Sequence, residues 1–300
     1  MTESSSLRYA LITPARNEAN FIEQTIHSVV TQTATPVRWV IVSDASTDGT
    51  DEIVKRYTAA HAWLRLVRMP EHRDRHFAAK VAAFQAGQAA LGDLEYDIIG
   101  NLDADITFAP DYFSFLLEQF AKNPALGVAG TPFMENGRTY DFRYASTEHV
   151  SGACQLFRRA CFEQIGGYVP IRGGAIDWVA VTTARMKGWQ TRTFLEKACQ
   201  HHRPIGTGNS GALASQFKQG RKDYSVGGHP LWEVLRSLYR MGCRPHVVAG
   251  FALLAGYIWG AATRAKAPIS AELRAFHRAE QMARLHQLVT KKHRDIERAL

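Results

Sequence analysis

The stretch that most constrains this chain is Tyr96-Asp97-Ile98-Ile99-Gly100-Asn101-Leu102-Asp103-Ala104-Asp105, where an apolar run ends in two carboxylates one residue apart. A run this short and apolar predicts a buried strand from Tyr96 to Leu102. Such a strand delivers Asp103 and Asp105 to its carboxyl end, the edge at which open α/β sheets bind ligands. Residues i and i+2 of an extended chain point to the same side, so both carboxylates can reach one hard cation. Mg²⁺ or Mn²⁺ holding a diphosphate suits oxygen donors of this kind. An Asp-x-Asp after a strand also serves as a turn or helix cap, so this pattern needs support from the rest of the chain. Pro110 predicts the start of a helix and makes residues 105–109 a loop.

The support comes from the first hundred residues. Arg8 to Thr13 is an apolar strand ending at Pro14, and Phe21, Ile22, Ile26, Val29 and Val30 recur at helical spacing after it. Val37 to Val42 reads as a second strand, followed by Ser43-Asp44-Ala45-Ser46-Thr47-Asp48-Gly49-Thr50 and a helix over 51–60. Trp63 to Met69 reads as a third strand, 72–77 as a charged loop, and Ala78 to Leu91 as a helix with Lys80 in its first turn. Strand-then-helix units in succession predict a mostly parallel sheet with helices on both faces. Asp48 is expected to act in a turn. Asp44, at a strand tip, is expected to accept the imide N–H of a pyrimidine base. The first strand lacks a Gly-x-Gly-x-x-Gly and the chain lacks a Gly-x-x-x-x-Gly-Lys-Ser/Thr, which argues against dinucleotide oxidoreductases and P-loop NTPases.

Three segments together, Ile12-Thr13-Pro14-Ala15-Arg16-Asn17-Glu18, Val42 to Thr50 and Asn101 to Asp105, resemble the family 2 glycosyltransferases of the GT-A fold in order and spacing. The resemblance covers roughly residues 8 to 205. It implies an α/β, GT-A type fold with a mostly parallel central sheet and helices on both faces; the composition and spacing of the last 65 or so residues add a helical C-terminal extension. It also implies a nucleotide-diphosphate sugar donor, with Pro14, Asn17, Glu18 and Asp44 lining the nucleoside pocket. Thr13, Arg16, Lys80, Asp103 and Arg203 complete the expected donor-binding set. A divalent cation, Mn²⁺ or Mg²⁺, is implied at Asp103 and Asp105.

In the second half, Leu126 to Thr131 and Val150 to Arg159 read as strands, and Gly166-Gly167-Tyr168 matches the family's helix-ending glycines. The family starts its next helix with a Glu-Asp pair whose Asp is the catalytic base. Here Ile176 replaces the Glu and Asp177 remains, ahead of a helix over 178–187; Asp177 is therefore the expected base, and a residue well suited to an N-cap. His201 or His202, after an apparent strand over 191–199, would be a further metal ligand and would lean the site towards Mn²⁺. Adjacent histidines on a strand face opposite ways, so one of them at most reaches the cleft. Gly206 to Gly211 reads as a lid. Gln219-Gly220-Arg221-Lys222 departs from the Gln-x-x-Arg-Trp of processive members, so one sugar per encounter is expected.

The expected activity is transfer of one sugar to an acceptor hydroxyl by metal-assisted inverting displacement, the acceptor being a glycan or lipid-linked, as in cell-surface or exopolysaccharide synthesis. A sugar nucleotidyltransferase is the alternative, but it needs a Gly-rich, basic loop after the first strand, and Thr13 to Asn20 has no glycine. The other is a non-catalytic sugar-nucleotide or membrane-binding protein, against which Asp103, Asp105 and Asp177 argue. The expected domains are 1–235, with a nucleotide-sugar half over 1–105 and an acceptor half over 106–235, and a helical basic region over 236–300.

Charge bears on that last region. The chain carries a formal +8 with pI near 9.4, an affinity for anions. Val247 to Ala262 is apolar between basic residues, and an amphipathic helix follows from Ser270. Packing on the catalytic domain and peripheral membrane contact through 244–300 are both consistent with this. The basic residues lack interleaved aromatics, so nucleic acid is not expected. Met1 to Arg8 is polar, so a cytoplasmic protein, at the inner face of the cytoplasmic membrane, is expected. Cys154, Cys161, Cys199 and Cys243 show no disulfide-like spacing and are expected as reduced thiols.

Overall fold

The computed structural model describes residues 7–71, 77–135, 139, 146–171, 173–203, 211–242 and 246–297. Residues 206–210 of the lid expected over Gly206 to Gly211, together with Arg172, Cys243 and Arg244, lie outside them. The chain divides into two compact units, Met1–Pro204 and Ile205–Leu300.

The first unit runs β1 (Tyr9–Ala15), α1 (Ile22–Val30), β2 (Arg38–Ser43), α2 (Thr50–Thr58), β3 (Leu64–Arg68), α3 (Phe77–Ala89) and β4 (Ile98–Leu102). It continues with β5 (Ile106–Thr107), α4 (Tyr112–Lys122), β6 (Leu126–Gly130), β7 (Phe133–Met134), β8 (Cys154–Arg158), α5 (Arg159–Gln164), α6 (Ile176–Met186), β9 (Gln190–Thr193) and β10 (Cys199–His201). The main sheet has the order β3-β2-β1-β4-β8-β6-β9. Only β8 runs against its neighbours β4 and β6; the other pairs are parallel. Every residue of β4 is buried, as a strand covered on both faces requires. The α/β architecture with a mostly parallel sheet and a C-terminal helical part is therefore as the sequence indicates. Helix α3 lies so close on the sheet that a Cβ on Gly87 would sit 2.5 Å from Ile12 Cγ2. Cys154, Cys161 and Cys199 are free and buried.

Four local expectations are corrected. Strand β1 continues through Pro14 to Ala15, because Pro14 and Ala15 stay in register with Val42 and Ser43. Residues 105–109 are not all loop: Ile106 and Thr107 pair with β10. The helix expected at Pro110 begins at Tyr112, with Asp111 at its N-cap. The single strand expected over 191–199 is two strands in different sheets, β9 on the main sheet's edge and β10 in a small sheet of order β5-β10-β7.

The second unit holds α7 (Ala212–Ser225), α8 (Pro230–Met241), α9 (Val248–Ala262) and α10 (Ala271–Glu297). Helix α8 starts with Pro230 at a position where the missing N–H costs nothing, and His229 Nδ1 accepts from the Leu231 N–H at 3.2 Å. Helices α7 and α9 touch backbone to backbone. A Cβ on Gly220 would stand 1.8 Å from the Leu253 carbonyl oxygen, and one on Gly256 2.0 Å from that of Phe217.

Candidate active site

The site is built at the carboxyl ends of β2, β1 and β4, which lie side by side. Strands β2 and β4 flank β1, so Asp44 and Asp103 follow strand ends roughly 10 Å apart. Asp44 is buried and its Oδ2 lies 3.3 Å from Arg16 Nη1. Its own N–H donates to the Ala15 carbonyl at 2.8 Å, which ties the two strand tips together.

Several expected donor-binding residues are engaged in holding these tips. Thr13 is fully buried, and its Oγ1 accepts from Trp39 Nε1 at 2.9 Å. Asn17 adopts φ 58, a left-handed conformation that Asn tolerates well. Its N–H donates to Ser46 Oγ and its Oδ1 accepts from the Thr47 N–H at 2.8 Å, clamping the loop after β2. Asp48 accepts from the N–H groups of Ala19 and Thr50, the turn role expected of it. Pro14, half-buried, is the β1 residue beside them.

Around Asp103 and Asp105 the charges interlock. Lys80, from the first turn of α3, donates to Asp103 Oδ1 at 2.5 Å. The lysine's pKa is raised: burial works against its charge, but Asp103, Asp177 and Asp105 outweigh it. Asp105 is buried, with Oδ2 3.6 Å from His201 Nε2 and 3.8 Å from Arg203 Nε. Its carboxyl is pushed above the usual range by burial first and then by the charge of Asp103. Glu18 pairs with Arg203. Burial lifts the Glu18 carboxyl to about 7, with Arg203 opposing and Asp105 and Asp103 adding to the rise.

The small sheet delivers the histidine. Pairing of His201 with Ile106 places it beside Asp105, whereas His202 is exposed and its Nε2 lies 2.8 Å from Thr107 Oγ1. Of the two candidates, His201 is the one at the carboxylates. Its Nδ1 is buried without a hydrogen-bond partner.

Asp177 is the second residue of α6, whose N-cap is Ala175 with φ 70. Asp177 is therefore a first-turn residue, not the cap. Its Oδ2 accepts from the Gly152 N–H at 3.2 Å, while the Gly152 carbonyl accepts from Asn101 Nδ2 at 2.7 Å. Asn101 also donates to Asp103 Oδ1 at 3.3 Å. One short relay thus links Asp103 to Asp177 through Asn101 and Gly152, and a Cβ on Gly152 would crowd the Asp177 Cβ at 3.0 Å.

Sequence reading missed Asn101, Gly152, Phe21 and Thr25. Thr25 Oγ1 donates to the Ala104 carbonyl at 2.8 Å and so fixes the turn between the two aspartates. A signal for it existed: Thr25 falls on the buried stripe of α1 with Ile22, Ile26 and Val29. The ring of Phe21 lies 5.3 Å from the Arg203 guanidinium.

Two carboxylates one residue apart, with an imidazole alongside, are a donor set suited to a divalent cation. Lys80 and Arg203 supply the counter-charge in the arrangement described. Among the described residues, no three His, Cys, Asp or Glu side chains are drawn together as a closed metal cluster.

The family model for glycosyl transferase family 2 matches residues 10–176, and the chain belongs to that family. It is 26% identical over 170 residues to the poly-beta-1,6-N-acetyl-D-glucosamine synthase of Staphylococcus epidermidis, covering 50% of this chain and 39% of that protein. It is 29% identical over 118 residues to the chondroitin synthase of Pasteurella multocida, 39% of this chain and 11% of the other. The chain thus spans well under half of either relative's length. Among solved structures, it resembles the mannosyltransferase PcManGT of Pyrobaculum calidifontis in complex with GDP-Man and Mn²⁺ (TM-score 0.58, 21% identity, 96% of this chain and 81% of that one). It also resembles residues 1–349 of S. aureus TarS in complex with UDP-GlcNAc (TM-score 0.56, 15% identity, 84% and 72%). At such identities the likeness establishes a shared fold.

Proposed function

We propose that this protein transfers one sugar from a nucleoside-diphosphate sugar to an acceptor hydroxyl with inversion at the anomeric carbon. The observation that carries this reading is the gathering of Glu18, Asp103, Asp105 and Asp177 with Lys80 and Arg203 on one rim of the sheet.

The chemistry follows from the residues. The nucleoside end of the donor would lie over the β1 and β2 tips, where Asp44 and Arg16 offer an acceptor and a cation. Lys80 and Arg203 would face the diphosphate. Asp103, Asp105 and His201 would hold Mn²⁺ or Mg²⁺, which when bound supplies positive charge against the departing diphosphate. The acceptor oxygen attacks the anomeric carbon as the bond to the diphosphate oxygen breaks. Its proton passes to the Asp177 carboxylate, whose Oδ2 is oriented by the Gly152 N–H. A single displacement reverses the anomeric face. Relatives named as poly-beta-1,6-N-acetyl-D-glucosamine synthase and chondroitin synthase support a glycan acceptor, and our reading extends to a lipid-linked one met at the cytoplasmic face of the membrane.

Calorimetry with UDP-, GDP- and dTDP-sugars, with Mn²⁺ and with EDTA, tests the reading. One donor should bind only when the cation is present. Asp105→Ala should weaken that binding by at least the roughly 10- to 100-fold seen when even an outer partner of a metal site is lost. Equal binding in EDTA, turnover of a sugar 1-phosphate with an NTP, or a product with retained configuration would each overturn it.

A further inference from the structure

Helix α8 is mounted with its polar side inward. Glu233 and Ser237 are 1% and 0% exposed, whereas Leu231, Val234, Leu235 and Leu238 face solvent. An amphipathic helix in a water-facing unit normally has the opposite orientation. The roll of α8 is held by Arg236, whose Nη1 lies 2.5 Å from Asp223 Oδ2 on α7 and 4.0 Å from Glu233 Oε2. Close packing against α9 adds to this, since a Cβ on Gly250 would stand 2.3 Å from the Ser237 carbonyl oxygen.

Helix α9 continues the pattern. It buries its small residues, Gly250, Gly256 and Gly260 among them, and leaves Phe251, Ile258 and Trp259 59%, 57% and 54% exposed. Of fourteen large apolar side chains left exposed among the described residues, ten fall between Leu231 and Trp259. Singly scattered apolar residues are ordinary on a protein surface; a concentration on two consecutive helices marks a contact site.

Charge selects what covers it. Residues 205–300 carry 15 Lys and Arg against 6 Asp and Glu, a net +9, while residues 1–204 carry 21 against 22, a net −1. The whole positive excess of the chain thus belongs to the unit with the apolar face. A second copy would bring two units of +9 together, whereas an anionic lipid surface complements both the charge and the apolar side chains. Trp259 and Tyr239 are residue types suited to the headgroup level. Helix α9 has 15 residues, about 22 Å at 1.5 Å per residue, short of the roughly 30 Å hydrocarbon core. No helix among the described residues is long and apolar enough to cross a membrane.

We propose that the outward faces of α8 and α9 dock this protein in the plane of an anionic lipid bilayer. This narrows the contact expected over 244–300 and moves it upstream to include α8. It stands apart from the donor chemistry and is tested apart from it.

The test is co-sedimentation of the full chain with phosphatidylcholine vesicles, with and without phosphatidylglycerol. Binding should require phosphatidylglycerol, weaken in high salt, and fall roughly tenfold or more in Leu238→Glu and in Phe251→Glu. Both variants should keep the wild-type circular dichroism spectrum and donor affinity. Should a variant misfold, quenching of wild-type tryptophan fluorescence by phosphatidylglycerol with brominated chains decides the question. No sedimentation, no quenching, equal binding to neutral vesicles, or full binding by folded variants overturns the proposal. So does a wild-type dimer in light scattering that Leu238→Glu dissociates, which would make a second copy the occupant.

Discussion

The two units treat polarity in opposite ways. In the first, apolar strands fill the interior, and charged groups collect at strand tips in alternation: Arg16 with Asp44, Lys80 with Asp103, Arg203 with Glu18 and Asp105. In the second, half-buried Asp223 and fully buried Glu233 lie among helices while Leu, Phe, Ile and Trp face outward. Charge at the first unit's rim suits an ionic substrate, and burial there raises the cost of any unmatched carboxylate. The second unit's inversion makes sense only for helices that meet something other than water.

The sharpest break of this comparison is Asp177→Asn. If the rim is catalytic, transfer should fall about 10²- to 10⁴-fold in a steady-state assay while donor affinity holds, the worth of a general base. A near-normal rate would leave the first unit's charges structural, like those of the second.

Next is Glu233→Gln. Burial first, then Asp223, lifts the Glu233 carboxyl to about 7, with Arg236 opposing. The folded protein therefore binds this proton more tightly than the unfolded chain, whose value is near 4.5. Its contribution is most favourable below about pH 4.5 and is lost as pH rises through about 7. Replacing it should remove that slope and raise stability at about pH 8 by up to about 3 kcal/mol in urea titrations. An unchanged pH profile would mean that the buried carboxylate is not held against its charge.

The smallest effect is expected from Thr13→Val, which leaves the buried Trp39 Nε1–H without its acceptor. Stability should drop by about 1–3 kcal/mol in thermal melts. Donor affinity should stay level, because the hydroxyl serves the sheet. A loss of donor affinity at constant stability would return Thr13 to the binding set.

These outcomes also sort what could be read before the fold was known. The runs at 9–12 and 39–42 are continuous and apolar, and 98–102 departs from this only at Gly100 and Asn101, as strands buried on both faces favour. Asp44, Asp103 and Asp105 were legible because they interrupt those runs at one end. The small sheet was not: strands of two and three residues carry no period, and β5 meets β10 across more than ninety residues of chain. The roll of α8 was equally hidden, since an amphipathic helix looks the same in sequence whichever side it buries.

By itself, then, the amino-acid sequence determined the succession of strands and helices in the N-terminal half, the acidic strand tips and the family, because burial periodicity and short motifs are local. Only the tertiary structure decided that His201 rather than His202 stands at Asp105, that Asn101 and Gly152 connect Asp103 to Asp177, and that α8 faces outward. Each of those depends on a partner far away in the chain, and packing alone chooses it.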